Sequence, residues 1–259
     1  MTASRLDGPA GAPVVVLSNS LGTTLAMWEP QMAALSERFA VLRYDHPGHG
    51  EGRGAPTARS LEELGRGVLG ILDERGLERV SFCGLSLGGA VGMWLAMHAP
   101  ERIDRLALAC TSARFGVRAS WLERAATVRA EGMDVVADRI LGFWFTPQTL
   151  ADRPGLVREY RAMMVSADPE GYAGCCEALA AWEPGAAALG AITAATLVLA
   201  GSEDPATPPA QAEAIRDAIP GARLHVLPGA GHLANLEQPD AFGRLLLEHL
   251  TAQPAVEAA

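Results

Sequence analysis

Gly84-Leu85-Ser86-Leu87-Gly88-Gly89 contains the pattern G-x-S-x-G. An apolar run at 80–83 precedes it, and a helix-forming stretch at 87–98 follows it. A serine at such a strand-to-helix turn is held in a strained backbone conformation, and its neighbours two residues away must lack a Cβ. Its hydroxyl is then presented at the positive end of a helix. The chemistry open to it is nucleophilic acyl transfer, but a serine hydroxyl is a poor nucleophile at neutral pH. It needs a base within hydrogen-bond reach, and the base needs a carboxylate that fixes its tautomer. In strand–turn–helix sites of this kind the chain order is serine, acid, histidine. Gly201-Ser202-Glu203-Asp204-Pro205 follows the apolar run 196–200, and Gly229-Ala230-Gly231-His232 follows the run 223–227. Ser86, Asp204 and His232 are therefore the candidate triad. With 28 Gly in the chain, the bare pattern arises by chance in roughly one such sequence in ten, so the context carries the assignment. Without that context the stretch is a glycine-rich turn that packs a helix on a strand.

Each triad position has rivals. Glu203 is the alternative acid; Asp204 is preferred because it lies deeper in the loop and Pro205 holds it extended. His98 closes a helix, where it complements the negative helix end, and His49 sits in the turn Gly48-His49-Gly50, where a structural role is expected. His225 and His249 fall on a strand and a helix without a loop context. Acyl transfer also needs two donors aimed at the developing oxyanion. The backbone N–H of Leu87 is one, and the backbone N–H of Leu21, in the loop Asn19-Ser20-Leu21-Gly22-Thr23, is expected to be the other. For Asn19 and Ser20 themselves, a simple loop cap and a functional role stand about even.

Six short runs rich in Val and Leu are expected to be fully buried strands: 14–18, 41–44, 80–83, 106–110, 196–200 and 223–227. Continuous apolar character without alternation suits a parallel sheet covered on both faces. Ser60-Leu61-Glu62-Glu63 reads as a capping box opening a helix to about Arg75, and further helices are expected at 87–98, 208–219 and 239–250. Strands alternating with helices imply a doubly wound α/β sheet. The alternation breaks between 112 and 190, which is helical in pattern throughout. This stretch holds Trp121, Trp144 and Trp182, three of the five tryptophans, and no histidine. It reads as a cap over the carboxyl edge of the sheet, leaving 1–111 and 191–259 as the core. The segment ahead of Val14 is short, so a leading antiparallel strand is expected to be missing or poorly formed. The tail 251–259 is expected to fray.

The composition narrows the partners. The net charge is −9, and all 21 basic residues are arginine. With no basic cluster, nucleic-acid binding is excluded as a reading. No stretch of about 18 apolar residues could cross a membrane. Residues 1–13 lack a signal-peptide run, which points to the cytoplasm. Cys83, Cys110, Cys175 and Cys176 show no CxxC spacing, and reduced, buried thiols are expected. No cofactor or metal is called for, and the oligomeric state is not readable.

Several further motifs resemble those of 3-oxoadipate enol-lactonases of the α/β-hydrolase superfamily. They are Ser18-Asn19-Ser20-Leu21-Gly22-Thr23 with Met27-Trp28 and Gln31; Trp144-Phe145-Thr146-Pro147; Asp168-Pro169-Glu170-Gly171-Tyr172 with Cys175-Cys176; Asp204-Pro205-Ala206-Thr207-Pro208; and His232-Leu233-Ala234-Asn235 with Glu237-Gln238-Pro239. The resemblance spans roughly 14–245. It implies an α/β-hydrolase fold and the hydrolysis of an enol-lactone, a small anionic substrate, through an acyl-enzyme on Ser86. Two places depart from the family pattern. His46-Pro47-Gly48-His49-Gly50 stands where relatives usually carry Thr-Arg-Gly-His-Gly, and Phe143 stands where an arginine is expected. The partner of the substrate carboxylate is then open among Arg114, Arg139, Arg158 and Arg161, and Trp144 is a candidate pocket wall. A carboxylesterase or a carbon–carbon bond hydrolase using the same triad is the alternative, and a ligand receptor on the same fold is a more distant one. A haloalkane dehalogenase would need Asp at position 86.

Overall fold

A computed structural model describes residues 4–252 of the chain. The strands are β1 (Ser4–Asp7), β2 (Val14–Ser18), β3 (Ala40–Tyr44), β4 (Val80–Leu85), β5 (Ile103–Ala109), β6 (Ala195–Gly201) and β7 (Arg223–Leu227). They form one sheet in the order β1-β3-β2-β4-β5-β6-β7. All neighbouring pairs are parallel except β1 with β3. Around the sheet lie α1 (Glu29–Leu35), α2 (Leu61–Glu74), α3 (Leu87–His98), α10 (Pro209–Ala218), α11 (Ala234–Glu237) and α12 (Pro239–Thr251). Between β5 and β6 come six helices among the described residues: α4 (Arg118–Glu131), α5 (Asp134–Trp144), α6 (Pro147–Asp152), α7 (Pro154–Val165), α8 (Pro169–Ala180) and α9 (Gly185–Leu189).

The doubly wound sheet expected from the alternating runs is present, and its central strands are buried. Helix α3 is buried along ten of its twelve residues, as an element apolar all round must be. Connections from β2 and β4 leave in opposite directions, towards β3 and β5. The carboxyl ends of β2 and β4 therefore flank the switch point, where such sheets leave a crevice. The oxyanion loop follows β2 and the Ser86 turn follows β4, so both candidate elements open into it.

Three expectations need correction. A leading strand does form: β1 pairs antiparallel with β3 from Ser4↔Tyr44 to Asp7↔Val41. Four residues suffice because Arg43, buried in β3, holds Asp7 at 2.8 Å. Strand β7 is not fully buried. It is the sheet edge, and Arg223, His225 and Val226 are exposed. The Ser60 capping box is half made: Ser60 accepts from the Glu63 N–H at 3.1 Å, but the Glu63 carboxylate takes the Arg59 N–H at 2.5 Å instead of that of Ser60. In the tail, Thr251 ends α12, and 253–259 lie outside the described residues.

Candidate active site

Ser86 has φ +58° and ψ −113°, one of two positive-φ residues other than glycine among the described residues. This conformation costs on the order of 1–3 kcal/mol and persists only where its surroundings over-determine it. Here the Ser86 N–H donates to Ala109 O at 2.9 Å. Its carbonyl accepts from the Thr111 hydroxyl at 2.7 Å. The flanking glycines are required by contact: a Cβ at Gly84 would lie 2.1 Å from Gly88 O, and one at Gly88 would lie 2.2 Å from Ser18 O. The turn thus aims the Ser86 side chain off the sheet edge, directly before the first turn of α3.

Asp204 is 3% exposed, while Glu203 is exposed. The buried carboxylate collects four donors. Oδ1 accepts the N–H groups of Ala206 at 2.8 Å and Thr207 at 3.0 Å. Oδ2 accepts the Thr207 hydroxyl at 2.6 Å and His232 Nδ1–H at 2.9 Å. Burial alone would raise this carboxyl, but the His232 ring and the Thr207 donors outweigh it and hold it below its ordinary value. Because Nδ1 carries its proton towards Asp204, Nε2 of the neutral imidazole is left as an acceptor. Ser86 and His232 line one cavity of about 200 Å³.

The loop after β2 is a buried polar knot. Asn19 Oδ1 accepts from Trp28 Nε1 at 2.9 Å, and Asn19 Nδ2 donates to Tyr44 O at 2.8 Å. Asp45 Oδ1 takes the Leu25 N–H at 2.7 Å. His46 Nε2–H donates to Asn19 O at 3.1 Å. His49 Nδ1–H donates to Pro47 O at 3.0 Å, so its Nε2 can accept the Gly22 N–H at 3.0 Å. Burial, and for His46 also the neighbouring His49, pushes both rings down, His46 to about 3 and His49 to about 4. The loop is tied to the serine turn by the Gly88 N–H, which donates to Asn19 O at 3.0 Å. Among the described residues neither the Leu21 nor the Leu87 N–H has a protein acceptor. Leu21 and Ser20 border the cavity. Asn19 is therefore more than a loop cap, since its side chain organises the loop from within.

The structure brings Ser86, His232, Leu21 and Trp144 to one cavity. The rival bases lie apart from it. His98 bonds its own helix at Trp94 O and stacks on Trp94, His225 is on the exposed edge strand, and His249 is buried in α12. None of the four candidate arginines lines the cavity. Arg114 pairs with Glu183 at the surface, Arg161 pairs with Asp134 and Asp138, Arg139 lies over Phe143, and Arg158 is exposed. The arginine that does line it is Arg124 of α4, half-buried, with its guanidinium 4.4 Å from the Trp121 ring centroid. Phe143 and Phe115 line the cavity as well. Among the described residues no three His, Cys, Asp or Glu side chains gather as a metal site would require, and no helix is long and apolar enough to cross a membrane.

A β-sheet edge with a strained serine, a buried Asp–His pair and a braced loop at the switch point is the geometry of one large group of enzymes. The family model for the alpha/beta hydrolase fold matches residues 13–239. The chain belongs to this family, in the branch of the 3-oxoadipate enol-lactonases, and is an enzyme of the ester-hydrolysing class. Among its relatives, 3-oxoadipate enol-lactonase 2 of Acinetobacter baylyi is 38% identical over 91% of this chain and 87% of that protein. The crystal structure of the enol-lactonase from Burkholderia xenovorans LB400 superposes with a TM-score of 0.93 at 42% identity, covering 97% of this chain and 96% of that one. A hydrolase from Pseudomonas aeruginosa PA01 does so with a TM-score of 0.93 at 46% identity, covering 97% and 94%.

Proposed function

We propose that the protein is a serine hydrolase that opens an enol-lactone ring, converting 3-oxoadipate enol-lactone and water to 3-oxoadipate. The observation that carries this reading is the Asp204–His232 hydrogen bond of 2.9 Å, with the imidazole bordering the same cavity as Ser86. His232 Nε2 takes the Ser86 proton as Oγ attacks the lactone carbonyl. The N–H groups of Leu21 and Leu87 receive the oxyanion, where fixed donors in a water-poor site are worth more than in solution. Collapse of the tetrahedral intermediate breaks the ring C–O bond. The enol oxygen leaves with a proton from His232 and tautomerises to the ketone, still tethered through the acyl group. Water activated by His232 then releases the acid and restores Ser86. Asp204 stays ionised throughout and stabilises the imidazolium. No cofactor takes part.

In this reading 112–190 is a cap that sets specificity over a core of 1–111 and 191–259. Trp144, Phe115 and Phe143 give the cavity an apolar wall. Arg124 supplies a positive end, so the substrate is a small anion whose carboxylate approaches the guanidinium. The buried free thiols of all four cysteines fit a reducing cytoplasm. One feature favours a second reading. Phe143 in place of an arginine enlarges the apolar share of the wall and suits a neutral carboxylic ester. Measuring kcat/KM for the enol-lactone and for p-nitrophenyl acetate separates the two. The enol-lactone should be preferred by at least about 100-fold, a difference of about 2.7 kcal/mol in transition-state binding. Equal or reversed preference would make the protein a carboxylesterase.

A further inference from the structure

Thr146 and Glu237 have no task in the catalytic reading, and they meet beside His232. Glu237 ends the short helix α11 and is half-buried. Its Oε2 accepts the Gly231 N–H at 2.6 Å. Its Oε1 accepts both the Thr146 N–H at 2.9 Å and the Thr146 hydroxyl at 2.8 Å. On the other side of His232, the Leu233 N–H donates to Trp144 O at 3.0 Å. Both sequence neighbours of the histidine are thus held by the segment Trp144-Phe145-Thr146, one directly and one through Glu237. The approach is close: a Cβ at Gly231 would lie 3.0 Å from Glu237 Oε2 and 3.2 Å from Trp144 O. The same Trp144 lines the cavity, and a Cβ on Gly22 in the oxyanion loop would come 3.1 Å from its ring.

We infer that Glu237 is a positioning residue that locks the α5–α6 junction to the His232 loop, so that cap seating and imidazole placement are one event. A carboxylate suits this task because it only accepts, and three donors from two segments converge on it. The cap would then do more than select substrates by shape, because a displaced Trp144 would move the base as well. This inference rests on the serine-hydrolase reading for its catalytic consequence, but the mechanical link stands on the hydrogen bonds alone.

Glu237→Gln tests it. The amide keeps the size of the side chain but turns one acceptor into a donor. That donor must face either the Gly231 or the Thr146 N–H, so one side of the link is lost. Kinetics would use p-nitrophenyl acetate, too small to depend on cap contacts, with active sites counted by phosphonate titration. The variant should lose about 10- to 100-fold in kcat per active site with KM within about twofold, because misplacement by an ångström can cost that much. A role in stability alone would lower the titrated fraction and Tm but leave kcat per site unchanged. Amide hydrogen exchange on the same variant gives a readout independent of turnover. Segments 144–150 and 229–236 should gain exchange together. Exchange rising in only one segment, or in neither, overturns the link. Coupled exchange with unchanged kcat per site overturns the positioning role. Should the wild-type protein hydrolyse no ester, the serine-hydrolase reading fails, and the exchange result still decides the link.

Discussion

At the scale of single residues, Asp204 and Glu203 are chain neighbours in opposite surroundings. One carboxylate is buried and holds His232 Nδ1, and the other is exposed. Asp204→Asn should lower kcat/KM by about 10⁴-fold, since an amide there favours the wrong imidazole tautomer, while Glu203→Gln should leave it within about twofold. Steady-state kinetics on both variants decides the point, and a more damaging Glu203→Gln would reassign the acid. Arg124 gives a second test. If it meets the substrate carboxylate, Arg124→Ala should raise KM for the anionic lactone by about 10-fold or more, a loss consistent with truncating one partner of a shielded ion pair, and leave neutral ester hydrolysis nearly unchanged. Equal loss on both substrates would mean that Arg124 acts through packing on Trp121. The placement of Ser86, Asp204 and His232 at the carboxyl ends of β4, β6 and β7 was legible in the sequence because each follows an apolar strand run. Arg124 was not. It is one of many helical arginines between β5 and β6, and only the packing of α4 turns its face to the cavity. Glu237 was legible as part of a motif but not in its task, because its partner Thr146 is 91 residues away.

At the scale of elements, the loop after β2, proposed above to receive the oxyanion, is held by rings that must stay neutral. His46 and His49 have folded values of about 3 and about 4, below the roughly 6.5 of an unfolded chain. Between those values the unfolded state binds more protons than the folded one. Stability therefore falls as the pH drops from about 6.5, each ring contributing a slope of up to about 1.4 kcal/mol per pH unit until its folded value is reached. His49 cannot accept the Gly22 N–H once Nε2 is protonated, so the loop itself should fail only as the pH nears the folded His49 value of about 4. His46→Thr removes one of the two protons. Urea unfolding between pH 4.5 and 6.5 should show a shallower dependence of stability on pH, by about 1 kcal/mol per unit. An unchanged slope would mean that His46 titrates normally. The strands of this scaffold other than β1 were readable from their Val- and Leu-rich runs, but the exposure of β7 was not; both exceptions have physical causes. The four residues of β1 are half-buried or exposed, so no apolar signal marks them. Strand β7 carries Leu, Val and Leu like a central strand, but it has a neighbour on one side only.

At the scale of the whole molecule, the cap helices rest on the core where Gly171 of α8 meets Gly48. A Cβ at Gly171 would lie 2.4 Å from Gly48 Cα, and the Asp168 N–H donates to Gly48 O at 2.7 Å. Gly171→Ala should therefore destabilise the protein by about 1–3 kcal/mol, the usual cost of forcing extra volume into a packed contact. A shift in the urea midpoint at constant slope measures it, and an unchanged midpoint would show that the two segments separate freely. That the stretch between β5 and β6 is helical could be read from the loss of alternation after Ser112. Where it docks could not, because glycine pairs 123 positions apart leave no local pattern. The central claim is that Ser86 is the nucleophile of a lactone hydrolase, and the most direct measurement is turnover of 3-oxoadipate enol-lactone by the wild-type protein and by Ser86→Ala. Alanine fits the same turn, so circular dichroism and Tm should match the wild type. Turnover by the variant should fall by about 10⁴-fold or more, by analogy with other triads. Near-normal turnover in folded Ser86→Ala would contradict the account.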